Sequence, residues 1–437
     1  MLDTGNLTSI LPAFRFERIA QWIVKLKIGG RQRIAGEHFV RLQSLALRAP
    51  VHDTMQGSTA GEKCPMKLST TTNLTVLKTL QDVREAGTAL RDVVVKGVKL
   101  QSLNAKYWQS VVISNVYFIG CVFDGLGSQD ILLSKGALVF PPISGLLYDP
   151  YRNDLYTPKE LFSEFCPGTT LDKAIYDSFV AKGKFYPDTI EALMRRIHDD
   201  SIDAGLQELI KSRSEDKIVG VMGGSGNKRN DPWYRTTAVT GWLLARSGYF
   251  VMSGGGPGMM EAANLGAYLA KYDAPVVDKA IDLLKTALDQ NTPEYWKTAT
   301  EVKKMFPNGS ESLGIPTWFY GFEATNLFSS RIAKYFANSI REAGMLQIAR
   351  AGVIFAPGSA GTRQEIFMEA AQDHYGSTGY YSPMVFLGTK QYQTDPAVYP
   401  LVQSVAKGRE YANFLAITDE PNDIVTFLQT HPPKPSQ

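Results

Sequence analysis

Residues 216–226 read DKIVGVMGGSG, an apolar run that ends abruptly in glycine. An uninterrupted run of this length fits a strand buried on both faces of a parallel sheet, and glycine after it lets the chain turn sharply into a helix. That helix is predicted over about Trp233–Ser247, apolar at Ala238, Trp242 and Leu243 and stopped by Gly248. The unit then returns. YFVMS (249–253) leads into GGGPGMM (254–260) and the helical EAANLGAYLA, and AGVIFA (351–356) leads into PGSAGT (357–362) and RQEIFMEAAQDHY. PMVFLG (383–388) and FLAI (414–417) supply two further strands, and DIVTFLQ closes with a helix. Alternating strands and helices of this size predict the α/β class, with a Rossmann-like, doubly wound parallel sheet in the C-terminal half.

Glycine loops at the carboxyl ends of parallel strands suit an anion. Without a Cβ, the backbone N–H groups approach it closely, and the next helix turns its positive end toward it. One such loop reads equally well as a tight turn, but three at successive strand ends point to a nucleotide or a sugar phosphate. The candidate contacts are Gly223, Gly224 and Ser225 in the first loop, Gly254, Gly255, Gly256 and Gly258 in the second, and Gly358, Ser359, Gly361 and Thr362 in the third.

At 437 residues the chain exceeds what a single core usually serves. The expected division is an N-terminal domain over 1–140, a helical connector over 141–215, and the nucleotide-binding domain over 216–437. The last carries an insertion at 271–312, where VDKAIDLLKTALDQ and PEYWKTATEVKKMF read as amphipathic helices that cover the site or build an oligomer contact. The N-terminal part reads as α+β: helical to about residue 50, then a polar linker, HDTMQGSTAGEKCPMKLSTTTN. From Val93 an apolar residue recurs at every fifth place, at Val93, Val98, Leu103, Trp108, Ile113, Phe118 and Phe123. That beat matches a short pentapeptide-like β-helix; ordinary strands with coincidental spacing are the alternative. In the connector, TIEALMRRIHDDSIDAGLQELI is an amphipathic helix on which His198 is expected as a partly exposed surface residue.

Hydrophobic residues make up 44% and charged residues 20%, with a net charge of +3, so extensive disorder and a nucleic-acid footprint are both disfavoured. Cys64, Cys121 and Cys166 are few and widely spaced, which fits a reducing compartment and forms no metal-ligand cluster. The first residues lack the pattern of a signal peptide, and no apolar run reaches the roughly 18 residues of a membrane span. A cytoplasmic protein with a small-molecule partner, and with neither membrane nor nucleic acid as partner, is expected.

GGSG, SGGGPGMMEAAN and PGSAGTRQE, in that order and each at a strand end, resemble the LOG ("Lonely guy") family of phosphoribohydrolases, once labelled lysine decarboxylase-like. The larger nucleotide 5′-monophosphate nucleosidases carry the same domain. The resemblance spans about residues 216–430. The family hallmark P-G-G-x-G-T-x-x-E falls on Pro357–Glu365, with Ser359 in place of the second glycine and Gln364 where many members have another glutamate. It implies that Glu365 is the catalytic carboxylate. The family arginine, in a phrase like Y-F-x-x-R-K-x-M-L, falls on Arg341 within KYFANSIREAGML; counting back from the hallmark gives Glu342, and Arg331 is a second candidate.

The implied reaction is hydrolysis of the N-glycosidic bond of a nucleoside 5′-monophosphate to free base and ribose 5-phosphate, without cofactor or metal, in a homodimer or higher oligomer. Two bland readings stand beside it. Thr362-x-x-Glu365 also has the form of a capping box, and Glu261 that of a helix-start carboxylate. A non-catalytic nucleotide sensor or carrier on the same fold is the alternative function. An NAD(P)-dependent oxidoreductase is disfavoured, because GGGPGMM is not G-x-G-x-x-G.

Overall fold

A computed structural model describes residues 74–436 apart from Pro167 and Asp395. The helices expected before residue 50 and the linker that follows them lie outside the described residues. Four short strands come first: β1 (Thr75–Leu77), β2 (Ala89–Lys96), β3 (Val112–Ile119) and β4 (Leu138–Phe140). Helices α1 (Leu80–Glu85), α2 (Ala105–Ser110) and α3 (Leu126–Ser134) return the chain between them. The strands pair in parallel and in chain order, with Thr75 beside Val93, Val93 beside Val116 and Tyr117 beside Leu138. This is a small solenoid of parallel strands and helices, which corrects the expected pentapeptide-like coil.

The five-residue beat does mark its interior, since Val93, Val98, Leu103, Trp108, Phe118 and Phe123 are buried and Ile113 packs against them. The coil differs because of Trp108. Its ring lies edge-on to Phe118 and Phe123 at 5.6 and 6.1 Å, and its Nε1 donates to the Leu103 carbonyl at 3.0 Å. So large a buried side chain needs a wall set back from the strands, and α2 provides it.

The connector contributes α4 (Leu171–Ala181) and α5 (Thr189–Lys211). The Asp188 side chain starts α5 by accepting from the Glu191 N–H at 2.9 Å. Next come β5 (Ile218–Met222), α6 (Pro232–Arg246), β6 (Phe250–Ser253), α7 (Met259–Leu269), α8 (Pro275–Leu284) and α9 (Pro293–Met305). The chain continues through β7 (Leu313–Gly314), β8 (Arg331–Ile332), α10 (Asn338–Ile348), β9 (Gly352–Phe355) and α11 (Ala360–Tyr375). It ends with β10 (Met384–Leu387), β11 (Leu415–Thr418) and α12 (Pro421–Thr430). Solenoid, connector and sheet domain belong to one compact unit, Thr72–Gln437.

The seven strands from β5 onward form one sheet in the order β8-β7-β6-β5-β9-β10-β11, parallel throughout, so the expected doubly wound α/β fold is present. Every residue of β5, β6, β9 and β10 is buried, as their continuous apolar runs require. Alternate side chains enter two cores. Val219, Val221, Ile354 and Val385 meet α6, α7 and α12 through Leu244, Ala263 and Ile424. Ile218, Met222, Phe355 and Phe386 meet α5, α10 and α11 through Ile202, Met345 and Ile366.

The insertion is fastened by a buried ion pair. Arg229 and Glu261 are 1% and 0% exposed; Arg229 Nε and Nη2 donate to the two Glu261 oxygens at 2.9 and 2.6 Å. Tyr234 and Tyr295 donate to the same carboxylate at 2.9 and 2.8 Å, and the guanidinium stacks 3.3 Å over the Tyr295 ring. Glu261 thus ties α6, α7 and α9 together. Removing one partner leaves an uncompensated buried charge. Glu261→Ala is therefore expected to lower unfolding free energy by about 3–5 kcal/mol in urea titrations; a loss under about 1 kcal/mol would contradict this role.

Candidate functional site

The strand order reverses between β5 and β9, and at such a switch point the loops diverge and leave a crevice. Here the three glycine loops interlock. The Gly224 N–H donates to the Pro357 carbonyl at 3.0 Å, and the Met259 N–H donates to the Gly224 carbonyl at 3.0 Å. Gly258 has φ +71°, and a Cβ there would lie 2.4 Å from the Gly224 oxygen. A Cβ on Gly358 would lie 2.0 Å from Thr362 Oγ1 and 2.9 Å from the Gly224 nitrogen. Glycine is thus needed first for loop-on-loop packing.

This packing divides the expected contact residues. Ser359 and Gly361 are exposed and Gly224, Ser225 and Gly358 partly so, whereas Gly223, Gly254, Gly255, Gly256, Gly258 and Thr362 are buried. The second loop is covered by residues 315–326, whose Asn326 donates from its backbone to Gly255 at 2.9 Å and from Nδ2 to Gly256 at 3.2 Å. The connector holds this cover from below. Asp172 on α4 accepts from Trp318 Nε1 at 2.8 Å and from Lys334 Nζ at 2.9 Å. The open surface therefore lies along Gly224–Gly226 and Gly358–Gly361, at the start of α11.

Beside it stands a cluster of charges. Glu365 is buried, and the Arg341 guanidinium reaches it at 4.0 Å. Arg341 Nε and Nη2 also donate to Asn338 Oδ1 at 3.1 and 2.8 Å, and Nη2 to Glu342 at 3.1 Å. Burial pushes the Glu365 carboxyl up to about 7; Arg341 opposes the rise, and Glu342 and Glu323 add to it. The capping box does not form. Helix α11 begins at Ala360 with Ser359 as its N-cap and no side-chain cap bond, so Glu365 lies beyond the first turn.

Glu342 shows why glutamine stands at 364. It accepts from Gln364 Nε2 at 2.6 Å and from the Tyr320 hydroxyl at 3.2 Å, and Asn338 Nδ2 donates to that hydroxyl at 2.8 Å. A glutamate at 364 would face a buried carboxylate; the amide donates to it instead. Glu342, Asn338, Tyr320 and Glu323 escape a reading from sequence. The only available signal was the count back from the third loop, which lands on Glu342.

Of the two candidate arginines, Arg341 lies beside Glu365, while Arg331 is exposed on the edge strand β8. His198 is fully buried, which corrects its expected surface position. Its Nε2 lies 2.8 Å from the Tyr156 hydroxyl and its Nδ1 3.1 Å from Asp199, and burial lowers its pKa. Asp199 in turn accepts from the Phe336 and Ala337 N–H groups at 3.0 and 2.8 Å, which fixes the start of the helix carrying Arg341.

Two hollows flank the loops. One of about 250 Å³ lies under Ser225–Lys228, with Gly258 and Asn291 on its wall. A cleft of about 540 Å³ runs from Glu342 and Gln364 to the aromatic rings of Phe185, Phe319 and Tyr320. Among the described residues no three His, Cys, Asp or Glu side chains are grouped to hold a metal, and no helix is long and apolar enough to cross a membrane.

Residues 216–272, which span the first two glycine loops, match the SLOG cluster4 family. The match supports a SLOG/LOG-like character for this part of the chain. The chain is also similar to solved structures of molybdenum cofactor proteins. That of the carrier protein from Chlamydomonas reinhardtii is 15% identical, over 49% of this chain and 98% of that one, with a TM-score of 0.32. That of the binding protein from the phototrophic bacterium Rippkaea orientalis is 15% identical, over 49% and 95%, with a TM-score of 0.31. No curated protein matches the chain.

A carboxyl that titrates near 7 when folded and near 4.5 when unfolded contributes stability that is full below about pH 4.5 and lost as pH rises through about 7. Glu365→Gln removes that loss. Relative to wild type, the variant should gain on the order of 3 kcal/mol between about pH 4.5 and pH 8, read by urea unfolding across pH. A pH-independent difference would show that Glu365 is not the buried acid described.

Proposed function

We propose that the C-terminal domain binds a nucleotide or nucleotide-like cofactor at the switch point between β5 and β9. The observation that carries this reading is the open backbone of Gly358–Gly361 at the start of α11, in contact with the first loop and next to a buried Glu365. A phosphate there takes up loop N–H groups and the helix's positive end. The cleft past Glu342 offers aromatic faces to a base.

The finer proposal is hydrolysis of the N-glycosidic bond of a nucleoside 5′-monophosphate. Water attacks C1′ as the bond from C1′ to the base nitrogen breaks; the base leaves with the bonding electrons and takes up a proton. The ribose passes through an oxocarbenium-like state. Ionised Glu365 stabilises that positive charge and orients the water, and Arg341 faces the anionic parts of the ligand. The second reading, a binder that does no chemistry, is favoured by Arg341 itself, whose Nε and Nη2 are already engaged by Asn338 and Glu342.

Turnover separates the two. Purified protein given nucleoside 5′-monophosphates should release free base, with kcat/KM falling on the acid side with a midpoint near pH 7, because the ionised carboxylate is the active form. Glu365→Gln should reduce kcat at least about a hundredfold while retaining nucleotide affinity. Release of no base by a protein that still binds the nucleotide establishes the binder; undiminished kcat in the variant removes Glu365 from the chemistry.

A further inference from the structure

The solenoid sheet has two apolar faces. Leu77, Val93, Val95, Val116 and Phe118 point into its own core. The alternate residues form a row in register across the other face, Val76 beside Val94, Val94 beside Tyr117 and Tyr117 beside Leu138, and Ile119 and Phe140 pair in a second row. On a solvated sheet these positions would be polar. They face α5 across a cleft of about 910 Å³ that Leu193, Ile197 and Ala204 line from the helix side, with Val76 and Leu138 at the ends of the row still exposed. That volume is in the range of small-molecule sites, and it lies outside the glycine-loop domain.

A cation is buried in this apolar cleft. Lys96 closes β2 on the same face, beside Ile119, and is 7% exposed. Among the described residues its ammonium makes no hydrogen bond, and its charged neighbour is Asp200, 3.8 Å away and itself largely in solvent. Burial pushes its pKa down, and Asp200 only partly offsets this. A lysine interior to an apolar wall normally pairs or hydrogen-bonds. Asn153, on the same wall, turns Nδ2 to the Lys78 and Lys96 carbonyls at 3.2 and 3.4 Å, which leaves its buried Oδ1 without a partner among the described residues. Of the remaining charges lining the cleft, Lys78 pairs with Glu208 and Arg152 with Glu160 outside it, while Arg196 and Lys211 add positive charge at the rim.

We propose that this cleft is a binding site for an amphiphilic anion, a small molecule whose apolar body lies on the Val94–Tyr117–Leu138 row and whose carboxylate or similar head pairs with Lys96. The apolar rows account for the body, and the buried ammonium, which has only the exposed Asp200 at 3.8 Å and no hydrogen bond among the described residues, for the sign of the head.

The test is calorimetric titration of the full chain with decanoate, decylamine and acetate. Decanoate should bind, whereas acetate, which lacks the body, and decylamine, which carries the opposite charge, should not. Lys96→Met should weaken decanoate at least about tenfold with an unchanged circular dichroism spectrum. Ala204→Trp, which fills the cleft from the helix side, should block decanoate and covers the case in which Lys96→Met fails to fold. Equal binding of decanoate and decylamine, decanoate affinity unchanged in Lys96→Met or in Ala204→Trp, or no binding of decanoate would each overturn the proposal.

Discussion

The geometry of this protein rests on one contact, the crossing of the first and third glycine loops at the point where strand order reverses. Gly224 donates to Pro357 there and accepts from Met259, so a single residue fixes the ends of β5 and β9 and the start of α7 together. Side chains at Gly258 or Gly358 would break that crossing. The candidate site is placed from it: the open backbone of Gly358–Gly361 continues into α11, and α11 carries Glu365 inward to Arg341.

The charges around this point are held by elements outside the glycine loops. Asp199 on α5 fixes the start of α10 and so the position of Arg341 and Glu342, while Asp172 on α4 holds the segment that covers the second loop. The connector therefore acts as a brace for the site. Each oxygen of the Asp172 and Asp199 carboxylates accepts at least one hydrogen bond, so these two contacts are satisfied. Glu365 is different: it is buried with one distant cation and two nearby carboxylates, an arrangement that stores a proton near neutrality.

Much of this was legible in the sequence, for a physical reason. A strand buried on both faces is a continuous apolar run, and a loop that must pack against another loop is glycine; β5, β6, β9, β10 and their turns follow directly. Strands β7 and β8, at one end of the sheet, are two residues long and leave no periodic trace, so the cover at 315–326 and the burial of the second loop could not be read. His198 was misplaced because α5 is enclosed by the sheet domain on one side and faces the solenoid on the other, and a simple amphipathic pattern assumes one wet face. The solenoid was half read: the beat located its core, but Trp108 and its helix set the coil. Gln364 acquires its meaning only beside Glu342, a pairing that no local spacing announces.

A phosphate site at the loop crossing is put to the test by titration calorimetry with purine and pyrimidine nucleoside 5′-monophosphates against the corresponding nucleosides. At least one monophosphate should bind at least about tenfold more tightly than its nucleoside, a difference of about 1.4 kcal/mol. Equal affinity for every such pair, or binding of none of the monophosphates, would contradict it.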